Sequence, residues 1–97
     1  MLKTEEILTS LRSYKEQYGQ CLGIEEIGIF GSYARGEASE ESDVDVYVRL
    51  RHSSLFLLSR IRLDLEELLG RPTDIVQLRD RMNASLKRHI ETEALSA

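Results

Sequence analysis

The segment from residue 43 to residue 50 constrains the fold more than any other part of the chain, because apolar and polar side chains alternate along it without a fault. The apolar face consists of Val44, Val46, Val48 and Leu50. The opposite face consists of Asp43, Asp45, Tyr47 and Arg49. A strict period of two is typical of a β-strand that buries one face, and it excludes an amphipathic helix here. We therefore expect a strand with a core face and a second face that carries two acids.

Two shorter runs predict further strands before and after this one. Residues 24–30 end in a β-branched and aromatic run that stops at Gly31, and residues 73–78 are short and rich in β-branched side chains. Both compositions are typical of strands. The second run carries one acid, Asp74, so the chain is expected to contain three strands in all.

Apolar residues at helical spacing predict three longer helices between and around the strands. The expected bounds are Thr4 as an N-cap to Gly19, Ser53 or Ser54 to Gly70, and a start near Asn83. Residues 32–36 leave room for about one further helical turn. The resulting order, αβ(α)βαβα, places the chain in the α/β (α+β) class.

Length and composition limit the classes of protein that the chain can represent. A chain of 97 residues is expected to form a single domain, residues 1–97, and the lone Cys21, expected to be partly buried, excludes an internal disulfide. The formal net charge of −4 argues against direct nucleic-acid binding. Because no window approaches the ~20 apolar residues of a membrane span, and charged residues lie near the N-terminus, we expect a cytoplasmic protein that binds no membrane.

Asp43 and Asp45 are candidate metal ligands. Residues two apart on a strand point to the same face, about 6.6 Å apart along the backbone, so their carboxylates can reach the same ions. Mg²⁺ takes oxygen ligands of this kind, and a pair of ions about 4 Å apart can hold the attacking and leaving oxygens of a phosphoryl transfer. Taken alone, the two acids are equally consistent with the solvated face of an edge strand.

Gly31 and Ser32 are candidate phosphate-binding residues, because they stand where a predicted strand meets a predicted helical turn. Backbone N–H groups at such a turn attract phosphate, glycine allows a close approach, and serine adds a hydroxyl donor. A plain strand-to-helix turn also favours Gly-Ser. The pair is therefore informative only together with the acids that follow it.

The combination of these features resembles the signature of the DNA polymerase beta-like nucleotidyltransferase superfamily. Gly31-Ser32 is followed by ten residues, then by Asp43-Val44-Asp45, and later by a strand with Asp74. More closely, the chain is similar to the minimal nucleotidyltransferases, the MNT proteins that act as antitoxins beside HEPN-domain toxins. This resemblance covers nearly the whole chain and implies a three-stranded mixed sheet flanked by helices.

The resemblance also implies the roles of the site residues. Asp43 and Asp45 would be ligands shared by two Mg²⁺ ions, and Asp74 would be the third carboxylate, although an acid at a strand start is common in turns. Ser32 and the Gly31 backbone would hold the β- and γ-phosphates of ATP or another nucleoside triphosphate. Arg35 would neutralise phosphate charge, or would be a helix-surface arginine.

The implied activity is Mg²⁺-dependent transfer of a nucleoside monophosphate, AMP from ATP, onto a hydroxyl group. The family relation implies that this hydroxyl belongs to a tyrosine of a partner HEPN toxin, with which the chain would form a hetero-oligomer. Two alternatives remain open on the sequence: an antitoxin that neutralises its partner by binding alone, and a transferase with a small-molecule acceptor. Tyr33 and Tyr47, which are larger or more polar than residues expected beside the motif, leave base and acceptor preference open.

Overall fold

Eight elements follow one another in the order predicted for the first seven. The computed structural model describes the backbone of residues 2–79, 82 and 84–97, and their side chains except at position 89. The helices are α1 (Thr4–Leu22), α2 (Ser32–Arg35), α3 (Leu55–Leu69) and α4 (Ala84–Glu93). The strands are β1 (Ile24–Phe30), β2 (Val44–Leu50), β3 (Thr73–Gln77) and β4 (Leu95–Ser96). The predicted start of the last helix, Asn83, lies outside the described residues.

The strands form one mixed sheet in the order β3-β2-β1-β4. β2 is antiparallel to β1 and parallel to β3. The prediction of three strands is wrong, because β4 pairs with β1 through Gly28 and Ile29. A strand of two residues is too short to show an alternating pattern, so its pairing depends on backbone hydrogen bonds that no sequence period reveals.

The core lies between the apolar face of β2 and the helices α1 and α3. Val44, Val46 and Val48 are fully buried, as their alternation predicts. They share this core with Ile7, Leu11, Ile61 and Leu65. The opposite face of β2 is not uniformly polar, because Tyr47 is buried there in a second cluster with Phe30, Leu78 and Ile90.

The helix ends differ in part from the expected ones. α1 continues through Gly19 and ends at Leu22, because Gly23 adopts the left-handed conformation (φ 72°) that closes a helix. The prediction of Thr4 as the N-cap is wrong, because Lys3 is the N-cap and Thr4 is the first helical residue; the Thr4 hydroxyl donates to the carbonyl of Tyr33 at 2.7 Å instead of capping the helix. The predicted cap of α3 is confirmed at Ser54. Its predicted end before Gly70 is also confirmed.

Two further predictions from the sequence concern the burial of Cys21 and the absence of a membrane span. Cys21 is exposed, so the expectation that it is partly buried is wrong; it lies in the added last turn of α1. Within residues 2–79, 82 and 84–97, none of the helices combines the length and the apolarity that crossing a membrane requires.

Candidate active site

The sheet register brings three predicted site segments to the same end of the sheet. In the antiparallel pair, Phe30 at the end of β1 lies opposite Asp45 near the start of β2, so Gly31 follows directly beside that acid. In the parallel pair, Asp45 lies opposite Asp74. Strand neighbours of this kind share a face. β2 therefore carries Asp45 between the glycine turn on one side and the third acid on the other.

Gly31 packs directly against the side chain of Asp45. Its backbone (φ 75°, ψ −151°) lies in a region that only glycine occupies readily. A Cβ atom at this position would stand 3.1 Å from Cγ of Asp45 and 3.3 Å from its Cβ, and still closer to Oδ2. Glycine is thus required here both by the backbone conformation and by the space that the acid occupies.

Ser32 begins α2 directly after this turn and is half-buried. The one-turn helix is closed by Gly36, whose φ is 72°. The amide of Glu37 donates to the carbonyl of Ser32 at 2.9 Å, which returns the chain toward the loop before β2. The turn therefore has the strand-to-helix geometry expected of a phosphate-binding position, with the Ser32 side chain at its first helical residue.

The surroundings of Asp45 shift the pKa of its carboxyl group. Burial raises the pKa of the Asp45 carboxyl above its ordinary value of 3.8, repulsion from Asp74 and Asp43 raises it further, and Arg35 lowers it. Asp43 and Asp74 are exposed, whereas Asp45 is half-buried. Asp74, Asp43 and Arg35 are thus close enough to Asp45 to act on its charge.

The three acids supply the oxygen ligands that a hard divalent cation requires, but their side chains are not gathered around one position. Carboxylate oxygens are the ligands that Mg²⁺ prefers. Burial, and then repulsion from Asp74 and Asp43, raises the pKa of Asp45, and a bound cation would compensate the second of these causes. Among the described residues, no three His, Cys, Asp or Glu side chains stand as a ready group of metal ligands. The fit therefore rests on the donor type and the clustered charge.

Arg35 is held by two carboxylates. Its guanidinium contacts Glu37 at 3.1 Å and Glu93, at the end of α4, at 2.9 Å. These two hydrogen bonds raise the pKa of Arg35. A contact between Arg35 and phosphate stays a prediction; the two carboxylates engage Nε and Nη1 of a guanidinium that carries five N–H donors.

Sequence reasoning missed two residues that act on the site. Glu93 reaches Arg35 from 58 positions along the chain, and no spacing rule links them. Arg71 donates a hydrogen bond to the carbonyl of Ser42, immediately before Asp43, at 2.9 Å. Neither residue belongs to a recognisable motif, so no signal in the sequence could have identified them.

Two tyrosines beside the motif lie in the interior. Tyr33 is 1% exposed and Tyr47 is 2% exposed. The Tyr47 hydroxyl donates to Oε1 of Glu26 at 3.0 Å, and burial raises the pKa of Tyr47 to about 12. Their size therefore serves the packing of the strand and turn that carry the site.

Comparisons with known proteins identify the family. Residues 5–96 match the family model described as a nucleotidyltransferase domain. The protein adenylyltransferase MntA of Thermococcus cleftensis is 42% identical over 96 residues, which cover 98% of this chain and 92% of that protein. The chain therefore belongs to the nucleotidyltransferase family and is an enzyme of that class.

Solved structures share the fold. A crystal structure of a toxin–antitoxin complex with AMP-PNP matches with a TM-score of 0.74 at 22% identity, covering 92% of this chain and 72% of that chain. A complex of a tri-AMPylated HEPN toxin of Shewanella oneidensis with an MNT antitoxin matches with a TM-score of 0.58 at 20% identity, covering 88% and 70%. These two matches show the fold; together with the family model and the relative above, they confirm the predicted family, fold class and enzyme class.

Proposed function

We propose that this enzyme is an antitoxin that transfers AMP from ATP onto a tyrosine hydroxyl of a partner HEPN toxin. The observation that carries the proposal is the position of Asp45, packed against Gly31 and paired in register with Asp74. The relative from Thermococcus cleftensis is named a protein adenylyltransferase, and the HEPN toxin in one matching complex carries AMP. Both descriptions support AMP as the transferred group and a protein as its acceptor.

The acids at the start of β2 and β3 would hold Mg²⁺. Asp43 and Asp74 are exposed, so their side chains can turn toward Asp45 at little cost. Two bound Mg²⁺ ions would supply positive charge that stabilises the reacting phosphate and lowers the pKa of the attacking hydroxyl. Their charge would also relieve the repulsion that raises the pKa of Asp45.

The glycine turn would hold the triphosphate. Gly31 carries no side chain, so its backbone can come close to both Asp45 and a phosphate bound at the turn. Ser32 offers its hydroxyl there, and Arg35 would donate to a phosphate oxygen from the guanidinium that also pairs with Glu37 and Glu93. In the reaction, the acceptor oxygen bonds to the α-phosphorus, the bond to the bridging oxygen breaks, pyrophosphate leaves, and the hydroxyl proton passes to solvent.

A label-transfer experiment tests this function. The purified enzyme, Mg²⁺ and the partner toxin are incubated with ATP labelled on the α-phosphate or, separately, on the γ-phosphate. We expect the α-label on the toxin, no γ-label, and no transfer when the acceptor tyrosine is replaced by Phe. Transfer of the γ-label would contradict the proposal, and so would labelling that survives Asp45→Asn.

A second candidate is an antitoxin that neutralises its toxin by binding alone. The observation in its favour is that Arg35 is already held by two carboxylates, Glu37 and Glu93. The same incubation separates the two candidates. A stable complex whose toxin carries no label supports binding alone, whereas labelled toxin supports transfer.

A further inference from the structure

Arg71 connects the loop before β3 with the loop before β2, and these two loops lead into the strands beside the acids. It lies between α3 and β3, one residue before Pro72 and three before Asp74. Its terminal nitrogen Nη2 donates to the carbonyl of Ser42 at 2.9 Å and also to the carbonyl of Glu40. One side chain from the β3 side thereby binds two backbone positions in the loop of residues 37–43, which enters β2.

The backbone contacts of this region bracket Asp43. On one side of it, the Ser42 carbonyl accepts the hydrogen bond from Arg71. On the other side, the amide of Val44 donates to the carbonyl of Pro72 at 3.0 Å. Asp43 itself lies outside β2 and is exposed, so the ladder of the sheet does not hold it. Hydrogen bonds to residues 71 and 72 therefore hold the backbone immediately before and immediately after Asp43.

Arg71 is itself anchored toward α3. The hydroxyl of Thr73 donates to the Arg71 carbonyl at 3.2 Å, and the amide of Thr73 donates to Glu66 at 3.3 Å. Glu66 in turn pairs with Arg62 at 2.9 Å. The Nε of Arg71 is buried, with no hydrogen-bond partner within the described part of the chain. A half-buried guanidinium whose Nη2 donates to two backbone carbonyls is placed to organise the backbone.

We propose that Arg71 is a positioning residue that fixes the loop of residues 37–43 and so sets the place of Asp43 relative to Asp45 and Asp74. The inference rests on the proposed function, because it assigns these acids to a divalent cation. Residues that orient metal ligands typically change metal affinity about 10- to 100-fold when removed. Arg71 acts here through the backbone of the loop, by its bonds to the carbonyls of Glu40 and Ser42.

The test compares Arg71→Met with the unaltered enzyme and with Arg60→Met. Arg60 is a matched control, since it is an exposed arginine on α3 that pairs with Asp64 at 3.6 Å within the same helix. Two quantities are measured without ATP or toxin: hydrogen exchange of the backbone amides by mass spectrometry, and Mn²⁺ binding by electron paramagnetic resonance. Arg71→Lys provides a second variant if Arg71→Met does not fold.

The expected result for Arg71→Met is faster exchange in residues 37–45 and a Kd for Mn²⁺ raised about 10-fold or more, with neither change in Arg60→Met. Unchanged exchange in residues 37–45 overturns the inference, and so does faster exchange with a Kd within twofold of the unaltered enzyme. An unaltered enzyme that binds no Mn²⁺ contradicts the proposed function and the metal-positioning role of Arg71. The exchange comparison then still decides whether Arg71 holds the loop.

Discussion

Asp45 is the residue at which stability and function oppose each other. Its pKa lies above the ordinary value of 3.8 because of burial and the charges of Asp74 and Asp43. Folding therefore favours the protonated carboxyl, and its ionisation lowers the free energy of unfolding. Below pH 3.8 the carboxyl is protonated in both the folded and the unfolded state, so the free energy of unfolding is not lowered. The decrease is complete once the pH exceeds the raised pKa of the folded state.

We expect Asp45→Asn to stabilise the metal-free chain at pH 7 while abolishing transfer. The gain should be about 0.5–1 kcal/mol, because the site is partly solvent-screened. Since ~1 kcal/mol moves Tm by about 4–8 °C in a domain of this size, thermal melts resolve it. The gain should shrink as the pH falls toward 4, and transfer should fall at least ~100-fold.

Glu41→Gln is the control for this substitution. Glu41 is an exposed acid of the neighbouring loop, so the variant removes the same formal charge outside the proposed ligand set. Its Tm and transfer rate should stay close to those of the unaltered enzyme. A lower Tm for Asp45→Asn than for Glu41→Gln at pH 7 would contradict the account of Asp45.

Gly31 and Gly36 provide a matched pair of glycines. Both have positive φ, but a Cβ at Gly36 meets nothing within 4 Å, whereas a Cβ at Gly31 meets Asp45. Gly36→Ala should cost about 1 kcal/mol of unfolding free energy, from backbone strain alone. Gly31→Ala should cost about 3 kcal/mol, and it should also reduce ATP binding. Equal costs in chemical denaturation would argue against the contact between Gly31 and Asp45.

The strand β2 and the helix α4, which both contribute to the site, are attached to the rest of the fold in different ways. β2 is central in the sheet, with paired strands on both sides, so Asp45 near its start has a firm support. α4 is linked to the site by its last residue, Glu93, which pairs with Arg35 on α2. Nucleotide binding through Arg35 would therefore compete with an ion pair that connects two elements.

We expect Glu93→Gln to lower the KM for ATP, because this carboxylate would no longer offset the positive charge that Arg35 offers to phosphate. Exposed ion pairs contribute about 0.2–1 kcal/mol, so the decrease should not exceed about fivefold. Steady-state kinetics with varied ATP measures it, and Glu37→Gln tests the second partner in the same way. An increase in KM for Glu93→Gln would mean that Glu93 orients Arg35 for phosphate instead of competing with it.

The elements that sequence could predict are those whose signal is local. The alternation from Val44 to Leu50 and the glycine after Phe30 each depend on neighbouring residues, so β2 and the turn were predictable. The end of α1 was misplaced because Gly19 and Gly23 are both plausible stops, and only the backbone conformation distinguishes them. The links made by Arg71 and Glu93 join segments far apart in the chain, so they depend on the completed fold.

At the scale of the whole molecule, the site lies open at one end of a thin body. The principal extents are 33 × 30 × 18 Å. Asp43, Asp74 and Arg35 are all exposed. A partner that carries the acceptor hydroxyl can therefore approach the acids directly, which fits an acceptor supplied by another chain.

Binding of Mg²⁺ with ATP should stabilise the whole fold, because the ligands bind the folded chain and relieve the repulsion between its acids. A ligand at 100 times its Kd adds about 2.7 kcal/mol, which corresponds to a rise in Tm on the order of 10 °C. Thermal melts with Mg²⁺ alone, ATP alone and both together measure the effect. No rise with both, or an equal rise in Asp45→Asn, would contradict a shared metal and nucleotide site.

The intact mass of the partner toxin tests the central claim most directly. The toxin is coexpressed with the enzyme or with its Asp45→Asn variant, and each complex is purified and weighed by mass spectrometry. We expect toxin heavier by one or more AMP groups with the unaltered enzyme, and unmodified toxin with Asp45→Asn. Unmodified toxin in a tight complex with the unaltered enzyme would contradict it.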